Sequence, residues 1–139
     1  MTELVVTRFV PAAPEQVYRR WLSAEELQKW WWVNIPDTTY EVDGQEGGEY
    51  VINSAAAGIG VRGRFTHLVP PTPTEPGLIE MTWIWIDDGV DGPAEHVRVD
   101  CASEGEGTLI TVTHKVDPAG SVDSYRQGWD HVLDNLVGR

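Results

Sequence analysis

The chain has 139 residues, the size of one domain that can bury a real core. Its 22 Asp and Glu outnumber 10 Lys and Arg, and the net charge of −12 argues against nucleic-acid and membrane-surface partners. A single cysteine (Cys101), a start unlike a signal peptide and the lack of a bilayer-length apolar stretch predict a cytoplasmic protein without disulfides.

The first forty residues predict one strand and two short helices. Residues 3–10 are β-branched and aromatic and end at Pro11, which favours a strand. Pro14 suits the first position of a helix, and Ser23 begins a second helix with a capping box. The apolar face of this second helix is predicted to continue through Trp30 and Trp31.

From Thr38 onward, apolar residues alternate with polar ones, which predicts six more strands. Glycine- and Asp-rich segments separate these strands, and residues 87–93 are interpreted as one such turn. The inward face of each of the four best-defined strands is predicted from this alternation. These faces hold Val61, Gly63, Phe65, His67 and Val69; Ile79, Met81, Trp83 and Trp85; Val97, Val99 and Cys101; and Ile110, Val112, His114 and Val116.

Residues 120–139 predict a long one-faced helix, because their apolar side chains recur at helical spacing. Either Asp117-Pro118 or Ser121 could cap it. The helix should cover the dry face of an antiparallel sheet. The prediction is therefore a single α+β domain over residues 1–139, with about seven curved antiparallel strands wrapped around a long C-terminal helix and two short helices after strand 1.

This order of elements resembles the helix-grip fold of the START-like (SRPBCC) superfamily. The motifs are most similar to the activator-of-heat-shock-protein-90-ATPase homologue family, and Trp32 departs from the small residue that this family often has there. The motifs that carry the resemblance are Ala13-Pro14 with Val17, Trp30-Trp31, Asp43 with Gly47-Gly48, Gly63 with Phe65 and Pro70, Thr82-Trp83, Gly107-Thr108 with His114, and Gly128-Trp129 with Leu133 and Leu136.

The resemblance implies an architecture and leaves the function open, since relatives in the superfamily bind hydrophobic ligands, cyclise polyketides, carry lipids or act as chaperone partners. The seven tryptophans of the chain add a reason to expect a cavity, although each could instead simply fill the core. The predicted ligand-binding residues are Trp31, Trp32, Tyr50, Phe65, His67, Trp83, Trp85, His114, Tyr125 and Trp129.

His67 and His114 are the polar exceptions on apolar strand faces, so either could serve as a general base or be a satisfied core histidine. The four histidines never pair at a ligand spacing, and Cys101 is interpreted as a buried thiol. No metal, cofactor or nucleophilic serine is expected.

Three functions follow, in order of preference. The first is binding of a small hydrophobic or aromatic molecule between the final helix and the concave sheet. The second is a co-chaperone-like role with a protein partner, and the third is a cyclase, aromatase or hydrolase that uses His67 or His114 with a tyrosine. Edge strands would allow a homodimer.

Overall fold

The architecture is described from a computed structural model that covers residues 2–118 and 120–138. Met1, Ala119 and Arg139 lie outside the described residues, so the ends of the predicted domain and the last residue of the predicted helix are not described. The elements are β1 (Thr2–Val10), α1 (Pro14–Arg19), α2 (Ala24–Leu27), β2 (Thr38–Val42), β3 (Glu49–Ser54), β4 (Ile59–Val69), β5 (Gly77–Asp87), β6 (Val90–Glu104), β7 (Gly107–Val116) and α3 (Val122–Val137).

The described residues form one seven-stranded sheet in the order β1-β7-β6-β5-β4-β3-β2, in which every neighbouring pair is antiparallel. Strands β2 to β7 follow one another along the chain, whereas β1 pairs with β7, so that Thr2 lies opposite Val116. The predicted α+β helix-grip architecture is confirmed. None of the helices described is long and apolar enough to cross a membrane.

Helix α3 is capped by Ser121, whose side chain accepts a hydrogen bond from the backbone N–H of Ser124 at 3.2 Å. The choice between the two caps is thereby settled. The α3 backbone approaches the sheet most closely along β1. Arg8 of β1 reinforces this contact, because it pairs with Asp130 at 2.6 Å and with Asp134 at 3.0 Å.

The predicted inward faces of β6 and β7 are buried as expected, and so is that of β5 except at Trp85, which is half-buried. The predicted inward face of β4 is wrong beyond Phe65. A bulge between Phe65 and His67 adds one residue and therefore reverses the alternation. Phe65 is buried, whereas 52% of the His67 side chain is exposed on the outer face and Leu68 becomes half-buried in its place.

The predicted turn over residues 87–93 is also wrong, because β6 begins at Val90 and pairs with β5 from there. The turn itself consists of Asp88 and Gly89, whose φ angles of 51° and 78° suit a two-residue hairpin. This earlier start brings Glu95 onto the inward face, two residues before Val97.

The predicted helical face through Trp30 and Trp31 is wrong as well, since α2 ends at Leu27 and the tryptophans lie in the turns that follow. Trp32 has a φ of 53°, which a right-handed helix does not accommodate. Two hydrogen bonds hold this segment in place: the Trp30 indole donates to the Arg20 carbonyl at 3.1 Å, and the Tyr40 hydroxyl donates to the Trp31 carbonyl.

Candidate functional site

A cavity of about 490 Å³ opens between α3, strands β5 and β6, and the segment that follows α2. Its walls are mainly aromatic and apolar, and serine hydroxyls and one carboxylate lie at its rim. The residues that line it are Trp31, Trp32, Trp83, Trp85, Asp87, Gly92, Pro93, Gly120, Ser121, Ser124, Tyr125, Gly128, Trp129 and Val132.

Three buried tryptophans from three parts of the chain form the inner wall of the cavity. The ring of Trp31 lies 5.5 Å from that of Trp129, at an interplanar angle of 90°, and 6.1 Å from that of Trp83. Trp83 and Trp129 are 5.2 Å apart. Such edge-to-face and tilted pairs are favourable beyond the burial of their area, so they stabilise the inner wall.

The outer part of the cavity is built on Trp85, which is half-buried where the pairing of β5 with β6 shifts between Ile84 and Ile86. The Trp85 ring stands nearly perpendicular to Trp32 (85°, 5.8 Å) and to Tyr125 (86°, 6.5 Å). We call Trp32, Trp85 and Tyr125 the aromatic corner.

Two indole nitrogens of the inner wall, Nε1 of Trp83 and Nε1 of Trp31, have no hydrogen-bond partner among the described residues. Both tryptophans are buried. A buried donor left without a partner costs about 1–3 kcal/mol. An acceptor atom of a ligand, or an ordered water molecule, that reached either nitrogen would remove that cost.

A buried chain of hydrogen bonds lies directly behind the cavity. The indole N–H of Trp129 donates to Nδ1 of His114 at 3.1 Å, and Nε2 of His114 lies 2.9 Å from Oε1 of Glu95. Because Nδ1 accepts, the proton of the neutral imidazole must be on Nε2, which donates to the carboxylate. The other Glu95 oxygen accepts the backbone N–H of Asp117 at 2.8 Å.

Burial determines the pKa values of the ionisable groups in and beside this hydrogen-bonded series. Both the His114 and Glu95 side chains are fully buried. Burial lowers the pKa of His114, and the neighbouring Glu95 opposes this effect only in part. Burial also raises the pKa of Tyr125, and the nearby Glu95 carboxylate raises it further. At neutral pH the imidazole and the phenol are therefore both uncharged.

The structure brings six of the ten predicted site residues to the cavity: Trp31, Trp32, Trp83, Trp85, Tyr125 and Trp129. His114 lies behind the wall, with both ring nitrogens engaged. Tyr50 and Phe65 pack on each other in the core, 5.4 Å apart, and the Tyr50 hydroxyl donates to the Thr82 carbonyl at 2.6 Å. His67 is on the outer face, away from all of these.

Glu95 is the residue that the sequence analysis missed. The interpretation of residues 87–93 as a turn placed it outside the strand, although its spacing from Val97, Val99 and Cys101 matches the buried face. Extending that alternation backward would have found it. Across residues 2–118 and 120–138, no three His, Cys, Asp or Glu side chains gather in a way that could hold a metal ion.

The family model described as "Activator of Hsp90 ATPase homolog 1-like protein" matches residues 11–139. A comparison with curated proteins gave no match.

Solved structures give the same fold at low sequence identity. Protein CV1439 from Chromobacterium violaceum is 24% identical, with a TM-score of 0.78 over 98% of this chain and 94% of that one. The Aha1 dimer from Colwellia psychrerythraea is 17% identical, with a TM-score of 0.73 over 98% and 93%. DynU16, from the dynemicin biosynthetic locus, is 17% identical, with a TM-score of 0.77 over 98% of this chain and 46% of its own.

Proposed function

The chain belongs to the Activator of Hsp90 ATPase homolog 1-like family, and on that premise we propose that it binds a small hydrophobic or aromatic molecule in the cavity between α3 and the sheet. The observation that carries the proposal is the cavity itself. Its volume of about 490 Å³ falls in the range of small-molecule sites, and its walls are aromatic with few polar groups.

The alternative of a chaperone partner has less support from the described surface. Ion pairs such as Arg62 with Asp91 and Arg98 with Glu80 cross the outer face of the sheet. A docking surface for a protein would more often present a continuous apolar patch. The family description is the remaining argument for this role, and a pull-down with a chaperone ATPase would test it.

The alternative of an enzyme that uses His67 or His114 as a base also has little support. His67 is exposed on the opposite side of the sheet, and the two ring nitrogens of His114 are occupied by Trp129 and Glu95. Neither imidazole can take a proton from a molecule in the cavity without rearrangement. Of the two histidines and the two tyrosines among the predicted site residues, Tyr125 lines the cavity and the others do not.

Blocking the cavity from α3 tests the binding proposal. Gly128 lines the cavity, and a Cβ atom added there would meet no atom within 4 Å. Gly128→Leu should therefore narrow the cavity while favouring the helix by about 1 kcal/mol. Gln127→Leu adds the same side chain at an exposed position of α3 that does not line the cavity and is the matched control.

The probe is N-phenyl-1-naphthylamine, a neutral aromatic dye that fluoresces in apolar surroundings and accepts energy from tryptophan. The wild type and Gln127→Leu should bind it saturably, whereas Gly128→Leu should bind it at least about tenfold more weakly, a change of about 1.4 kcal/mol. Unfolding midpoints would verify that all three proteins are folded. Absence of binding to the wild type, or equal binding to all three, would refute the proposal.

A homodimer remains a proposal of its own. It is supported by the outer edges of β1 and β2, which have no neighbouring strand in the described sheet, and by the dimer formed by the relative from Colwellia psychrerythraea. Light scattering during size-exclusion chromatography would decide between about 15.5 kDa and twice that mass.

A further inference from the structure

The charges around the cavity are of one sign. Among the described residues that line it, none is Lys, Arg or His, and the one charged side chain is Asp87, which lies two residues after Trp85 at the exposed end of β5. The whole chain carries −12. A ligand with a carboxylate or phosphate would find no counter-charge here and would be repelled at the mouth.

The aromatic corner, by contrast, favours a cationic ligand. Trp32 and Tyr125 both stand nearly perpendicular to Trp85, so the three rings form the walls of a corner and do not form a stack. The faces of such rings carry negative electrostatic potential, and tryptophan attracts a cation most strongly. Sites that recognise alkylated ammonium groups use this kind of aromatic surround.

Two carboxylates extend this negative potential on either side of the corner. Asp87 lies at the exposed mouth, and Glu95 lies buried behind Tyr125. The Glu95 oxygens accept hydrogen bonds from His114 and from the Asp117 backbone, and no Lys or Arg among the described residues forms an ion pair with them. A cation in the corner would share the cavity with Asp87, and Glu95 behind Tyr125 would add to the attraction.

We propose that the ligand of this cavity carries an alkylated ammonium group beside its apolar body, with the ammonium in the aromatic corner near Asp87 and the apolar body against Trp31, Trp83 and Trp129. This inference rests on the proposed function and specifies the chemical class of the ligand. It separates the cavity from one built for fatty acids or other anionic lipids, for which a Lys or Arg would be expected in the wall.

Three probes with the same eight-carbon chain test the charge preference: octyltrimethylammonium, 1-octanol and octanoate. Each is used to displace N-phenyl-1-naphthylamine at about 150 mM salt, where long-range attraction to the acidic surface is largely screened. Octyltrimethylammonium should bind at least about tenfold more tightly than 1-octanol, and octanoate should bind most weakly.

Two variants and one control test whether the preference for the ammonium probe arises at the aromatic corner. Trp85→Leu and Asp87→Asn should each reduce the preference for octyltrimethylammonium over 1-octanol by at least about threefold. Glu104→Gln removes the same charge at the far end of β6 and should leave the preference unchanged. Circular dichroism would verify that each variant is folded.

The outcomes separate the two proposals. If N-phenyl-1-naphthylamine binds but octyltrimethylammonium has no advantage, or octanoate binds best, the ammonium inference is overturned while the cavity remains a binding site. If Glu104→Gln lowers the preference as much as Asp87→Asn does, surface charge explains the result and the inference also fails. If the folded wild type binds neither the dye nor any octyl compound, the proposed function itself is wrong.

Discussion

Replacement of His114 by glutamine tests the buried chain from Trp129 to Glu95. Glutamine has an amide that can donate to Glu95 and accept from Trp129, but it cannot take up a proton. In the wild type, burial lowers the pKa of His114. We expect the variant to lose the acid sensitivity that this histidine gives to the free energy of unfolding.

Proton binding determines whether the free energy of unfolding rises or falls as the pH is lowered. In the unfolded chain the imidazole has a pKa of about 6.5. Folded His114 has a lower pKa, so below pH 6.5 the unfolded state binds more protons than the folded state. Stability therefore falls as the pH falls. Protonation of folded His114 is opposed further because a proton on Nδ1 would displace the hydrogen bond from Trp129.

The size of this change in the free energy of unfolding follows from the same difference in proton binding. If folded His114 stays neutral, only the unfolded state titrates, which makes the loss in the free energy of unfolding between pH 8 and pH 5.5 about 1.4 kcal/mol. Urea unfolding followed by tryptophan fluorescence, at both pH values, gives the free energies. The wild type should lose about 1.4 kcal/mol more than His114→Gln on acidification, because the titrations that the two proteins share cancel in the difference.

The reasoning is refuted if the two proteins lose the same stability on acidification, or if the wild type gains stability relative to the variant. Either result would mean that folded His114 holds its proton at least as well as an exposed histidine. The slopes of the urea transitions must agree between the proteins, since a changed slope would indicate a different unfolded state.

Three further changes are predicted. Gly63→Ala should lower the free energy of unfolding, measured in urea, by about 1–3 kcal/mol, because the added Cβ would lie 2.0 Å from the Thr82 carbonyl oxygen. Cys101 should resist labelling by a thiol reagent until the chain unfolds, because burial raises its pKa to about 12; rapid labelling of the folded protein would contradict this. Ser121→Ala should lower stability by about 1 kcal/mol, whereas Ser121→Asp should retain the α3 cap.

The overall fold is predictable from local patterns because the sheet is built almost entirely from neighbours in sequence. Alternation in β6, in β7 and in β5 as far as Trp83 gives the correct buried faces, and the proline of α1 and the serine cap of α2 define those helix starts. The sequence leaves two candidate caps for α3, and the structure selects Ser121. Each of these signals depends on a few adjacent residues. Such signals survive in the folded structure when no tertiary contact opposes them.

The candidate site is less predictable because irregular backbone determines it. The bulge after Phe65 turns His67 outward, and the left-handed conformation of Trp32 sets the direction of the segment beside the cavity. Neither feature has a periodic signature. Glu95 was missed for a related reason: an acidic residue after Gly92-Pro93 is more typical of a turn than of a buried strand, and the partner that makes its burial tolerable, His114, is 19 residues away.

The pairing of β1 with β7 has a consequence for the order in which the protein folds. β1 is synthesised before the other strands of the sheet, yet its partner strand β7 is synthesised about a hundred residues later, and α3 follows β7. During synthesis the hairpins from β2 to β7 can form in turn, while the apolar face of β1 remains unpaired and exposed. We therefore expect the closure of β1 and α3 onto the sheet to be slow, and to follow the formation of the hairpins from β2 to β7.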